Sequence, residues 1–264
     1  MDYVIAIPSY KRPETLRKKT LSLLERYNIP KNKINIFVSD DLQKVVYEAV
    51  NPGYTFIVGV PGMGAIRNFI TSFYPVGAWI VNIDDDISDF KMLENGKLVP
   101  VPDMDSVFRE GFLTCLLRNA RLFGFYPVAN GFFMKHTVRY DLRYIIGSMW
   151  GIINPGPVLT VTLDDKEDVQ RSIIMYLLDG VIVRYENYTP ITAYYKEQGG
   201  MMEERTIQRI DLSARAIVSS YTDLSKLKTT KKSGFTEVTL RDSRKNKTFG
   251  LSILEEYRVP TVLT

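Results

Sequence analysis

The chain has 264 residues, is 45% hydrophobic and carries a formal net charge of +4, enough apolar material for one large α/β domain or a domain with an appendage. Cys115 is its only cysteine and His136 its only histidine, which excludes an intrachain disulfide framework, argues against zinc clusters and Ser-His-Asp or Cys-His catalysis, and makes any metal lean on oxygen ligands, favouring Mg²⁺ or Mn²⁺. No basic leader precedes the first apolar run and no stretch reaches membrane-spanning length, so the expected location is cytoplasmic, with no membrane partner.

In chain order, Tyr3 to Ile7 reads as a short strand, and Pro13 to Tyr27 as a helix with Pro13 and Glu14 at its entry and Leu16, Leu21, Leu23 and Leu24 on its apolar side. Ile34 to Val38 is a second strand, Gln43 to Val50 a short helix closed by Asn51-Pro52-Gly53, and Tyr54 to Val58 a third strand. Pro61-Gly62-Met63-Gly64 opens a helix to about Phe73, and Trp79 to Ile83 is a fourth strand. This alternation predicts an α/β fold with a mostly parallel sheet flanked by helices, a nucleotide-binding architecture by default.

The fourth strand ends in Asp84-Asp85-Asp86. Adjacent carboxylates at the carboxyl end of a strand concentrate charge where α/β sheets bind ligands, and a divalent cation offsets that charge. A polar turn, with Asp86 or Asp89 capping the next segment, is the structural alternative. Three further features fall on the same sheet edge. Pro8-Ser9-Tyr10-Lys11-Arg12 puts two cations beside a helix start, Gly62 and Gly64 allow close backbone approach, and Arg67 and Asn68 follow one turn into the helix. Each has a plain reading as a turn or a surface pair.

A second acidic cluster, Asp164-Asp165-Lys166-Glu167-Asp168, precedes an expected helix from Val169 to Leu178, where capping and the helix dipole alone would favour acids. Cys115 lies in an apolar stretch and reads as helix core. Residues 201–264 hold twelve Lys/Arg against eight Asp/Glu, so the whole positive excess lies there. Lys226 to Lys232 and Arg241 to Lys247 flank an alternating strand, Phe235 to Leu240, and suit either a phosphate-facing surface or a solvated hairpin.

Together, Ile7-Pro-Ser-Tyr-Lys-Arg-Pro13, Gly64-Ala-Ile-Arg67-Asn68 and Ile83-Asp-Asp-Asp86 resemble the successive motifs of GT-A fold glycosyltransferases over about the first 90 residues. The Tyr-Lys-Arg-Pro loop and Tyr195-Lys-Glu-Gln-Gly199-Gly200 look more specifically like the TET/JBP-associated glycosyltransferases, found in phages and thought to glycosylate hydroxymethylated pyrimidines in DNA. The resemblance implies a catalytic domain over 1–200 with a basic extension over 201–264. It implies a UDP-sugar donor held by Pro8, Ser9, Tyr10, Arg12, Gly64, Arg67, Asn68, Asp84, Asp85, Gly199 and Gly200. Mn²⁺ or Mg²⁺ would sit on Asp84 and Asp86, or be shared with Asp85, and Asp168 or Glu167 would be the base. The implied acceptor is DNA carrying a hydroxymethylated pyrimidine such as 5-hydroxymethylcytosine, and the implied setting the host cytoplasm if phage-encoded. Two alternatives stay open: a glycan or protein acceptor, and an inactive nucleic-acid-binding domain. The aromatic and glycine-rich segments Phe125 to Met134 and Leu142 to Pro157 would form the later strands and the acceptor side, with Tyr140, Tyr144 and Trp150 available to stack on a sugar or base. His136 comes early for the usual third metal ligand, which favours a structural or acceptor role.

Overall fold

The computed structural model describes residues 2–192, 206–228 and 236–257. Its centre is an eight-stranded sheet in the order β3-β2-β1-β4-β9-β7-β10-β8. Four parallel strands, β1 (Val4–Pro8), β2 (Ile34–Val38), β3 (Thr55–Val58) and β4 (Trp79–Ile83), make up the first half and follow the expected alternation. Their residues are largely buried, as strands covered on both faces must be.

The helix expected over 13–27 forms in three stretches: α1 (Pro13–Leu16), a wider turn over Arg17–Leu21, and α2 (Ser22–Arg26). At the wide turn the Ser22 amide donates to the carbonyl of Arg17, five residues back, and the Ser22 hydroxyl donates to the same oxygen. This extra residue per turn presents Thr20 to the acidic strand end: its hydroxyl donates to the Asp84 carbonyl (2.7 Å) and accepts from the Ile87 amide (3.0 Å). Helices α3 (Asp41–Val50) and α4 (Met63–Phe73) complete the crossovers.

After the acids the chain leaves the parallel pattern. Strands β5 (Ile87–Glu94) and β6 (Lys97–Pro100) form a hairpin, turning at Asn95-Gly96 with φ of 48° and 76°, the pair such a two-residue turn demands. Asp89 therefore lies within a strand, paired with Arg26 at 2.7 Å, and caps nothing. Helix α5 (Met104–Leu117) buries Cys115 in the core, and β7 (Leu122–Phe125) follows, then the edge strand β8 (Val138–Arg139). Strand β9 (Met149–Ile153) inserts antiparallel between β4 and β7, α6 (Glu167–Asp179) begins two residues before its expected start, and β10 (Val183–Tyr185) runs parallel to β7. Strand β11 (Tyr188–Thr192) joins β5 and β6 in a small sheet.

Helix α7 (Ile207–Ser220), the ribbon of β12 (Ser225–Lys228) and β13 (Glu237–Leu240), and the short α8 (Leu251–Leu254) extend the core on the face covered by α4 and α6. Ile217, Tyr221 and Leu224 belong to that same buried cluster. Among the described residues no helix is long and apolar enough to cross a membrane.

Candidate functional site

The carboxyl ends of β1, β2 and β3 enclose a cleft of about 230 Å³, lined by Pro8, Ser9, Tyr10, Arg12, Phe37 to Ser39, Val60 to Met63, Ile66 and Asp85. Its walls are mostly apolar, with polar groups gathered on the β1 side. Gly62 holds φ +95°, and a Cβ on Gly64 would lie 2.7 Å from the Leu163 carbonyl oxygen, so the turn into α4 is built for glycine at both places. Tyr47, which carries no motif, organises the first loop. Its hydroxyl accepts from the Arg12 amide at 2.8 Å and lies 2.8 Å from the Ser9 hydroxyl, which donates to Asp85 at 2.5 Å.

The three aspartates after β4 divide by burial. Asp85 is 1% exposed, salt-bridged to Arg12 at 2.7 Å, and burial pushes its carboxyl up to about 7 against the pull of that guanidinium. It forms the floor of the cleft and is committed to Arg12 and Ser9. Asp84 and Asp86, 27% and 17% exposed, flank it as an x-separated pair. One oxygen of Asp84 accepts from Arg67 at 2.6 Å. The Asp86 carboxyl is held above the usual carboxylate range by burial and by the charge of Asp84, and bonds to Thr192. Such a pair fits a hard divalent cation, which would relieve this repulsion. Among the described residues no group of three or more His, Cys, Asp or Glu side chains could hold a metal ion alone, so diphosphate oxygens and water would complete the shell. His136 is exposed in the loop before β8.

Arg67 links this cluster to the second one. It is buried on α4, donates to Asp84 and to the Gly147 carbonyl (3.0 Å), and lies 3.6 Å from Glu167. Glu167 is also held by Arg171 at 2.7 Å, and the Arg171 guanidinium sits 3.7 Å over the Trp150 ring. Burial pushes the Glu167 carboxyl up while both guanidiniums pull against it. Trp150 is thus a buried plate between arginines, inaccessible to a sugar or base, which corrects the stacking role considered for it. Asp168, by contrast, is partly exposed, and accepts from the Tyr144 hydroxyl, the Gly147 amide (3.2 Å) and the Val169 amide (2.9 Å).

Gly147 and Ser148 join the two clusters directly. The Asp84 amide donates to the Ser148 carbonyl at 2.9 Å, while the adjacent Gly147 serves Arg67 and Asp168. A Cβ on Gly147 would lie 3.1 Å from a Glu167 oxygen, which leaves little room for a larger residue. In the sequence Gly147 looks like any loop glycine.

Asp164 accepts from the Gly64 amide at 2.8 Å, and Arg209 of α7 grips both Asp164 (3.0 Å) and Asp165 (2.8 Å). Asn68 spends its amide on the backbone of Val161, donating at 2.7 Å and accepting at 2.9 Å, so it clamps that strand-like segment and does not line the cleft. Tyr140 lies under Arg118 at 4.2 Å. Gly199 and Gly200, with Tyr195, lie outside the described residues, as do Lys231 and Lys232. Two lysines, Lys11 (φ 56°) and Lys166 (φ 68°), take left-handed backbone, one at each acidic cluster.

No protein-family model matches the sequence, and no curated protein matches it. Among solved structures the chain is similar to S. aureus TarS 1–349 in complex with UDP-GlcNAc, at 15% identity over 83% of this chain and 67% of that one, TM-score 0.52. It is also similar to glucosyl-3-phosphoglycerate synthase from Mycobacterium tuberculosis. The complex with phosphoglyceric acid matches at 10% identity and the complex with Mn²⁺ and UDP-Glc at 8%, each over 96% of this chain and 91% of that one, TM-score 0.50. The fold of this chain is that of the GT-A glycosyltransferases, a mixed α/β fold around a large, mostly parallel sheet.

Proposed function

We propose that the chain is a metal-dependent glycosyltransferase that moves a sugar from a nucleotide-sugar, a UDP-sugar in the first instance, to the hydroxyl of a hydroxymethylated pyrimidine in DNA. The observation that carries the donor half is the pair Asp84 and Asp86, partly exposed on either side of the buried Asp85 that lines a nucleoside-sized cleft. Two proteins of the same fold were solved with UDP-sugars, one of them with Mn²⁺. The acceptor half rests on the resemblance of the Tyr10-Lys11-Arg12-Pro13 loop and on the basic surfaces of the chain.

In this reading the nucleoside enters the cleft between β1 and β3, and Arg12 and Lys11 lie by its phosphates. When bound on Asp84 and Asp86, a divalent cation neutralises the diphosphate and makes it a better leaving group. Arg67 holds one oxygen of Asp84 in place. The bond between the sugar's anomeric carbon and the diphosphate breaks, the acceptor oxygen bonds to that carbon, and Asp168 takes the hydroxyl proton. Tyr144 and Gly147 orient Asp168, while Glu167 is occupied by two arginines and serves as a strut.

Incubation with UDP-glucose or UDP-GlcNAc, Mn²⁺ and an oligonucleotide containing 5-hydroxymethylcytosine tests the whole proposal. Nucleoside mass spectrometry should show the base heavier by one sugar. Release of UDP with no sugar on DNA would keep the donor half and remove the acceptor half.

A further inference from the structure

We infer that the strip of exposed aromatic and basic side chains along residues 132–143 is a docking surface for a single-stranded polynucleotide, seated beside Asp168. The inference builds on the glycosyl-transfer reading for its purpose, but binding can be measured without turnover. Phe132 and Phe133 are 86% and 56% exposed, with their rings 5.0 Å apart edge to face. Most phenylalanines of the chain lie in the core, and Phe132 is the most exposed large hydrophobic among the described residues, so this adjacent pair left in water calls for a partner with apolar faces. Tyr140 adds a third ring, with the Arg118 guanidinium 4.2 Å above it.

The charge of the strip chooses the partner. Lys135, Arg139 and Arg143 accompany the rings, and Asp141 is the only acid between residues 132 and 143. Arg139 (3.9 Å) and Arg143 (2.7 Å) share that one carboxylate, which leaves a positive surplus. Rings alternating with cations match a strand that offers base faces and phosphates in turn. A neutral glycan gives the cations nothing to pair with, and a duplex hides its base faces in the stack.

Position connects the strip to the chemistry. It contains β8, the edge strand of the main sheet, and the next residue after Arg143 is Tyr144, whose hydroxyl donates to Asp168. Arg184 donates to the Tyr144 carbonyl at 3.1 Å and pairs with Glu186 at 2.7 Å, and the Glu186 carbonyl accepts from the Lys135 amide. The basic C-terminal segment meets the opposite end of α6: Asp242 accepts from Tyr176, Gly250 donates to Leu177, and Phe249 packs at Gly180. At a rise of ~1.5 Å per residue those residues of α6 lie roughly 12–18 Å along the helix from Asp168.

The test uses labelled oligothymidylate, an abasic strand of the same length, and the same sequence as duplex. Wild type should bind oligothymidylate more tightly than either control, with affinity falling as salt rises. Phe132→Ala with Phe133→Ala should weaken binding by roughly tenfold per ring. Lys135→Gln with Arg139→Gln should flatten the salt slope by about 0.7 for each phosphate no longer neutralised. Both variants should keep the wild-type melting temperature and acceptor-free hydrolysis of the UDP-sugar. Phe132→Trp gives a direct reading, quenching of its fluorescence by the strand, against native Trp79 and Trp150 that are both buried. Equal binding of the abasic strand with no effect of the phenylalanine changes would overturn the inference, as would Phe132-dependent dimerisation without oligonucleotide binding. Hydrolysis without oligonucleotide binding would overturn it and spare the transferase reading. Ring-dependent binding without hydrolysis would uphold it and remove that reading.

Discussion

The two acidic clusters look alike in sequence and are used differently. In residues 84–86 the carboxylates are consecutive after a strand end, and the middle one turns inward to Arg12 while its neighbours stay partly exposed. In residues 164–168 the acids straddle a loop and a helix start, and three of the four are taken up by the fold: Asp164 by the Gly64 amide, Asp165 by Arg209, Glu167 by Arg67 and Arg171. Only Asp168 in the second cluster keeps partial exposure with neutral partners. A run of acids is therefore not a run of ligands. What separates the two roles is burial together with a cation: Asp85, Asp165 and Glu167 are buried against arginines, whereas Asp84 stays partly exposed although Arg67 takes one of its oxygens.

The sharpest way to break this contrast is at its second member. Asp168→Asn should lower turnover by about 10²–10⁴-fold, the range for losing a general base, with UDP affinity nearly unchanged. Normal turnover in that variant would make Asp168 a helix-start acid like its neighbours.

Next in size is the buried pair. Arg171→Leu strands Glu167 beside Arg67 and should cost about 3–5 kcal/mol in denaturant unfolding, most of it recovered by Arg171→Leu with Glu167→Leu. Arg209→Gln should cost less, because its guanidinium is 18% exposed. Equal costs would mean that burial does not grade these pairs.

A smaller effect follows from pH. Asp86 is held above the ordinary carboxylate range, and a cation needs it ionised, so Mn²⁺-dependent UDP affinity should rise with pH until Asp86 has lost its proton, above where an ordinary aspartate would level off. Calorimetry between pH 4.5 and 7.5 checks this, and a flat profile would free the cation site from Asp86.

The parallel half of the fold was legible because apolar runs, helix entries and turn residues alternate locally in the first 83 residues, and β4 begins and ends where its pattern does. The antiparallel insertion of β9 was not, because pairing across some seventy residues leaves no local mark. The same holds within the site. Proximity of Arg12, Gly64, Arg67 and the acids to one sheet edge followed from topology, whereas the partners that sort them, Tyr47, Thr20, Gly147, Arg171 and Arg209, come from elements that only tertiary packing brings near. The Asn95-Gly96 turn is the exception, a local signal that announces the β5–β6 hairpin.

Whether Asp84 and Asp86 hold a cation for a nucleoside diphosphate while Asp85 does not is tested most directly by titration calorimetry of UDP with and without Mn²⁺, on wild type, on Asp84→Asn with Asp86→Asn, and on Asp85→Asn. Metal-dependent UDP binding should disappear in the double variant, with its melting transition preserved, and should persist in Asp85→Asn despite a less stable fold. Unchanged Mn²⁺-dependent affinity in the double variant would contradict the account.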